Sequence, residues 1–427
     1  MKKMVCLFLI FATVLLSASC TAKTKEINKT EAVSGLLSQT EGDNTFDLSG
    51  NGQDLVSSGG YNLKTDRDNG EMRGIWISYG ELSTAFDGDF KNEIAVMFDN
   101  IKGLGLNTVF VHARAFCDAF YPSKLFPWSA YITGTEGVSP GFDPLKIMVD
   151  EAKKRGLEIH AWLNPYRISY KTEDVSTLAN SSYIKQYMTK KPSSTLAVAY
   201  DGGLYLNPAN ADAEKLIIDG VKEILDAYDV DGIHFDDYFY PTMDSCFDQS
   251  DYLAYVNGKS NPLPLADWRR ENVNRMLKSV YTTVKGYGSD ISFGVSPAGN
   301  NERNYNELYA DTDAWVNGGY IDYIIPQIYF GYSYSPDRFS YGSLVNQWAK
   351  YSGKTALYVG LGAYKIGAGA DSEKADWESG GLLEKQIKDL RSLKYDGFVV
   401  FSYSSLFSND PLNTSEREKI LQLIGAE

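Results

Sequence analysis

Several common chemistries are excluded by what this chain lacks. It has four cysteines and three histidines in 427 residues, with no Cys-x-x-Cys pair and no His-x-His. The spacings of ordinary zinc sites and dithiol redox centres are therefore missing. Positive charge is also short: 41 Lys and Arg against 55 Asp and Glu leave a net charge of −14. Such a chain is not built to bind nucleic acid or an anionic membrane face. No Gly-rich phosphate loop follows the first strand candidate, GIWISY, so a nucleotide-binding doubly wound sheet loses its usual sign. The N-terminal apolar run, residues 4–16, is shorter than the roughly 20 residues of a spanning helix.

That run has another meaning. Lys2 and Lys3 precede it, and Ser17-Ala18-Ser19-Cys20 follows. A basic start, a short apolar stretch and small residues read as a signal peptide over residues 1–19, with export expected. Cys20 after small residues resembles a lipobox, although Leu16 sits one place early with Ser17 in its position. The expected product is an envelope lipoprotein whose only membrane attachment is a lipid on Cys20. Residues 20–70 are rich in Thr, Ser, Asn, Gly and Asp and read as a tether. Of the cysteines beyond it, Cys117 and Cys246, the sequence does not tell whether they pair.

From residue 71 to 427 the texture changes. Eight short β-branched or aromatic runs recur: 74–79, 108–114, 158–165, 232–238, 292–298, 322–329, 356–364 and 397–404. Segments with apolar residues at helical spacing separate them, such as DPLKIMVDEAKKRG and NADAEKLIIDGVKEILDAY. This alternation predicts an α/β fold, a single (β/α)8 barrel. The βα connections around 115–142, 166–207 and 239–265 are long, and in such barrels these loops form the catalytic face.

Strand parity selects candidate site residues, because alternate side chains face opposite sides. In DGIHFDDYFYP, Ile233 and Phe235 share one face while His234 and Asp236 share the other. The same test groups His112 with Arg114; His160 with Trp162 and Asn164; and Ile325 with Gln327 and Tyr329. If the apolar faces meet the helices, these polar residues point into the barrel. Tyr166, Arg167, Tyr238 and Asn300 follow in the loops as further substrate contacts. The aromatic content is 13%, and Tyr and Trp suit sugar stacking, since each joins an apolar face to a polar tip.

Two adjacent carboxylates in a partly dry site do not both ionise readily, so one keeps a proton and can act as an acid. Acid plus carboxylate is the equipment of glycoside hydrolysis. Asp236 and Asp237 are adjacent and do not obviously flank a sugar. They suit the variant in which one carboxylate orients the substrate's acetamido group as nucleophile while the other protonates the leaving oxygen. Tyr329 is placed to hydrogen-bond the acetamido oxygen. Glu302, after the fifth strand, is the alternative acid if one is needed from across the cavity.

The motifs MRGIWIS, HARAFCDAFYPS, HAWLNPYR, DGIHFDDYFYP, FGVSPAGN, DYIIPQIYF and GLGAYK together resemble the bacterial glycosyl-hydrolase-like family formerly catalogued as a domain of unknown function. The resemblance runs in order over about residues 70–427. It implies a (β/α)8 glycosidase of the cell envelope, with peptidoglycan glycan strands as the expected polysaccharide partner and no cofactor. Family positions fall on His112, Arg114, Asn164, Tyr166, Arg167, His234, Asp236, Asp237, Gln327 and Tyr329. The chitinase pattern DGxDxDxE does not carry over. In that register the chain reads Asp231, His234, Asp236 and then Tyr238, so the acidic Glu is missing and Asp237 is the nearest replacement. Two other readings remain: a metal-dependent hydrolase or deacetylase using His112, His160, His234 and Asp236, and a binding-only glycan lipoprotein.

Overall fold

The computed structural model describes residues 70–425. The signal-peptide, Cys20 and tether expectations lie outside them. Eight parallel strands close into a barrel: β1 (Met72–Ile77), β2 (Thr108–Arg114), β3 (Glu158–Leu163), β7 (Gly232–Phe235), β8 (Ser292–Val295), β9 (Tyr323–Ile324), β10 (Ala356–Gly362) and β11 (Gly397–Phe401). The last closes onto the first through the Met72–Gly397 to Ile75–Val400 register. The expected eight strands are all present and in order. The intervening β4 (Arg167–Ser169), β5 (Ala197–Tyr200) and β6 (Gly203–Leu206) were not foreseen. They form an antiparallel sheet inside the long loop after β3.

The alternation of residues divides the core in two. Ile75, Ile77, Val109, Val111, Ile159, Ala161, Ile233 and Phe235 belong to the shell packed under the helices. Trp76, Phe110, Trp162, Tyr323, Ile325 and Val399 fill the barrel interior. Room for these rings comes from glycine. A Cβ on Gly294 would stand 2.2 Å from the Tyr323 ring, and one on Gly232 2.3 Å from His160 Nδ1. Both are inside the barrel, where a side chain cannot move away. Gly294→Ala should cost about 1–3 kcal/mol of stability through overpacking, read from the denaturation midpoint.

The opposite end of the barrel is tied by one repeated device. Polar residues just before four strands each accept an amide hydrogen from the neighbouring strand. Asn107 accepts from Arg73 at 2.9 Å, and Asp231 from Ile159, Asp322 from Phe293 and Asp396 from Leu357 at 2.8 Å each. Asp231 also binds Lys153 at 2.8 Å, so this acid serves the barrel's base. Cys117 is a free, buried thiol, so it does not pair with Cys246.

Candidate active site

The carboxylate pair follows directly from β7. Asp236 is 2% exposed, and Trp162 Nε1, from the neighbouring β3, donates to its Oδ2 at 3.0 Å. Asp237 is half-buried and receives a hydrogen bond from the Gln327 side chain. Burial pushes the Asp236 carboxyl up to about 8, with the Asp237 charge adding to it; Trp162 and Arg167 pull the other way. Burial also raises Asp237, opposed by Arg303 and by the Gln327 bond. The pair therefore retains a proton at neutral pH. Replacing Trp162 with Phe removes a donor that favours the charged form. The basic limb of the pH–rate profile should then move up by about one pH unit, measured on kcat.

The histidines stand below the pair. His234 is fully buried and uses both ring nitrogens: Nε2 meets Trp76 Nε1 at 3.2 Å and Ser296 Oγ at 3.1 Å, and Nδ1 meets the Tyr323 hydroxyl at 3.2 Å. His112 stacks on Trp162 with centroids 3.4 Å apart, and its Nδ1 accepts the Tyr79 amide hydrogen at 3.0 Å. Burial holds both imidazoles well below their ordinary pKa, hence neutral. These nitrogens are committed to internal bonds. Among the described residues no group of three or more His, Cys, Asp or Glu is disposed to hold a metal ion. The histidine–aspartate set of the metal reading is therefore not assembled as a ligand set. The stack under Trp162 instead fixes the indole that addresses Asp236.

Tyr329 comes from the loop after β9. It packs between Phe401 and Tyr364, each 5.7 Å away between centroids, and lies in the fields of Asp236, Asp237 and Tyr238. Burial raises its hydroxyl's pKa, so it remains a neutral donor. Gln327 donates to the Ser296 carbonyl at 2.9 Å, which fixes the amide beside Asp237. Arg167 lies over the Tyr238 and Phe116 rings, at 4.4 and 5.0 Å. Asn164 shapes the turn beneath it by accepting the Arg167 amide hydrogen at 3.1 Å.

Other expected contacts lie elsewhere. A β-bulge shifts the register between His112 and Arg114, so parity fails at the end of β2. Arg114 points outward, fully buried, 3.8 Å over the Phe126 ring, and a Cβ on Gly220 of the helix Ala211–Ala227 would touch its Nη1. Tyr166 also turns away from the mouth into the shell under the helices, in the field of Glu214. His160 is buried in the barrel centre, its Nδ1 2.9 Å from the Tyr323 hydroxyl and its ring on Phe110. Asn300 caps the helix Asn301–Asn306 by accepting from Glu302 and Arg303 amides. Glu302 is exposed, 3.8 Å from Arg338, and is not gathered with the aspartates. Sequence reasoning missed Ser296 and Tyr323, the two hydroxyls that hold His234. Parity carried a signal for Ser296, two residues from the inward Gly294. It also missed Arg269, fully buried, which binds Asp248 at 2.6 Å and the Thr242 and Asp244 carbonyls, fixing the loop after β7.

A closed parallel barrel with a proton-retaining carboxylate pair among aromatics at its C-terminal mouth is the architecture of glycosidase-type barrels. The chain belongs to the glycosyl hydrolase-like 10 family, whose pattern it matches over residues 71–379. It is 36% identical to glycosyl hydrolase YngK of Bacillus subtilis, covering 82% of this chain and 70% of that protein. It is 34% identical to glycosyl hydrolase DigH of Escherichia coli K12, covering 84% and 88%. Among solved structures, the glycoside hydrolase domain of PgaB (BpsB) from Bordetella bronchiseptica superposes with a TM-score of 0.58. The two are 16% identical over 82% of this chain and 99% of that one, a likeness of fold.

Proposed function

We propose that this protein is an exported, lipid-anchored hydrolase that cleaves glycosidic bonds in an N-acetylated glycan, the glycan strands of peptidoglycan. The observation that carries the reading is the Asp236–Asp237 pair, buried enough to keep one proton at neutral pH and bounded by Trp162, Gln327 and Tyr329. The proton that the pair holds rests on Asp236 in the free protein. With substrate bound it passes to Asp237, the more exposed of the two, which gives it to the leaving oxygen and leaves Asp236 ionised. Asp236, anchored by Trp162, orients the acetamido nitrogen so that the acetamido oxygen attacks the anomeric carbon. Tyr329 donates to that oxygen. Membership of a glycosyl hydrolase-like family supports glycan hydrolysis as the reaction class. The sequence features at Cys20 support the envelope location.

The test is digestion of intact peptidoglycan and of strands stripped of peptides, with fragments weighed by mass spectrometry. The soluble form, beginning after Cys20, is used with and without chelator. Chelator-resistant fragments with masses of whole sugar units are expected from the stripped strands. Binding without cleavage would favour a glycan-binding barrel, and loss of cleavage on chelation would favour a metal-dependent hydrolase.

A further inference from the structure

Among the described residues the Tyr329 hydroxyl hydrogen-bonds to no other group. Its aim therefore depends on the ring and on the backbone that carries it. Two glycines of β10 make the bed for the ring. A Cβ on Gly360 would stand 3.2 Å from Tyr329 Cε1, and one on Gly362 3.0 Å from Tyr329 Cβ. Phe401 and Tyr364 close the sides. Apolar contacts of this kind have no direction, so the remaining constraint comes from the chain on either side of Tyr329. Before it, the Gln327 and Ile328 amides donate to the Pro297 and Gly360 carbonyls at 2.9 and 3.1 Å.

After it, the chain is bound by the loop that follows β10. One oxygen of Glu373 accepts the Gly331 amide hydrogen, and the other takes Lys365 Nζ at 2.9 Å. Both charged groups are buried, Glu373 completely. Lys365 lies 5.0 Å from the Phe330 ring and directly follows Tyr364 in the turn Ala363–Lys365. The approach at Gly331 is close: a Cβ there would stand 2.6 Å from Asp376 Oδ2 and 3.1 Å from Glu373 Cβ. A buried ion pair is a poor source of stability, since desolvation of the two charges offsets their attraction. What it supplies here is direction. A carboxylate accepts on both oxygens, so it can hold a cation and an amide at once. One pair thus ties Tyr364, on one side of the Tyr329 ring, to Gly331, two residues beyond Tyr329.

We infer that Glu373, neutralised by Lys365, is a positioning residue for the reaction, holding the Gly331 amide so that the Tyr329 hydroxyl stays aimed at the place of the reacting oxygen. The inference rests on the donor role given to Tyr329 under the glycan-hydrolase reading and adds the group that fixes that donor. Glu373 acts only through Tyr329.

Two variants test it. Glu373→Gln has one acceptor oxygen and must choose between Lys365 and Gly331. Glu373→Asp keeps the charge beside Lys365 but withdraws the carboxylate from Gly331, and it serves if the first variant does not fold. Both are measured for kcat and Kd on peptide-free glycan strands, alone and combined with Tyr329→Phe. Tyr329→Phe should lower kcat about a hundredfold, the loss of a donor to the developing charge. Each Glu373 variant should lower kcat about tenfold with Kd within about twofold, the mark of a misplaced donor. In the Tyr329→Phe background the Glu373 variants should cost nothing further. Losses that multiply in the combined variants would overturn the inference, as would an unchanged kcat in both Glu373 variants. An unchanged kcat in Tyr329→Phe would remove the tyrosine's role and this inference with it. Fluorine NMR on protein labelled with 3-fluorotyrosine needs no turnover. The Tyr329 line, identified by its loss in Tyr329→Phe, should shift or broaden in the Glu373 variants. An unmoved line would overturn the inference whether or not glycan is cut. A moved line without any turnover by wild type would uphold the Glu373–Tyr329 coupling and refute hydrolysis.

Discussion

Asp237→Asn should lower kcat on peptide-free glycan strands by about a thousandfold while the protein still binds them. The magnitude is that of losing a general acid, since an amide has no proton to give to the leaving oxygen. Asp237 is half-buried and Asn is its isostere, so the barrel should remain intact. The comparison is kcat against Kd for the same strands. Turnover within tenfold of the wild type would remove Asp237 from the acid role and leave Asp236 as the remaining member of the pair. Glu302 is a poor substitute because it stands in solvent beside Arg338.

Asp236→Asn should lose activity and gain stability together. The carboxyl is raised from its ordinary value to about 8, chiefly by burial. A carboxyl whose folded pKa lies above its unfolded one stabilises the protein fully only below the unfolded value. Stability is then lost as pH rises from about 4 through about 8, because the unfolded chain ionises first. Asn does not ionise and escapes that loss, and its carbonyl oxygen still accepts from Trp162. The variant should therefore be more stable than wild type at neutral pH by about 2–4 kcal/mol, and equal to it near pH 3. Thermal unfolding across that range checks the sign. A variant less stable at every pH would mean that Asp236 is held as a structural carboxylate. The expected pattern is the usual conflict at a functional site, where a costly buried acid is kept for its chemistry.

The barrel was legible in the sequence because its periodicity is strong. Ile233 and Phe235 against His234 and Asp236 mark the two faces of β7, and each lies where alternation puts it. Alternation failed where the backbone broke step. The bulge between His112 and Arg114 sends Arg114 under the helices, and no residue pattern announces a bulge inside HAR. Beyond the strand ends parity does not apply, and Tyr166 turned outward for that reason. Parity also says nothing about depth. His160 and His234 share the inward face with Asp236, yet they lie in the packed interior with Tyr323, below the cleft. The three-stranded sheet at β4–β6 was hidden because its strands are only three or four residues long, too short for alternation to show. What the sequence showed well was the interior-facing set. What it could not rank was which members reach the opening, since that depends on how the rings stack along the barrel axis.

The claim on which the account rests is a proton held on the Asp236–Asp237 pair at neutral pH. Infrared difference spectroscopy of wild type against Asp236→Asn tests it without any substrate. At about pH 6.5 the wild type should show a protonated-carboxyl stretch that the variant lacks, and the band should vanish by about pH 9.5. Absence of that band at about pH 6.5 would mean that both carboxylates are ionised, and the pair could not supply the acid.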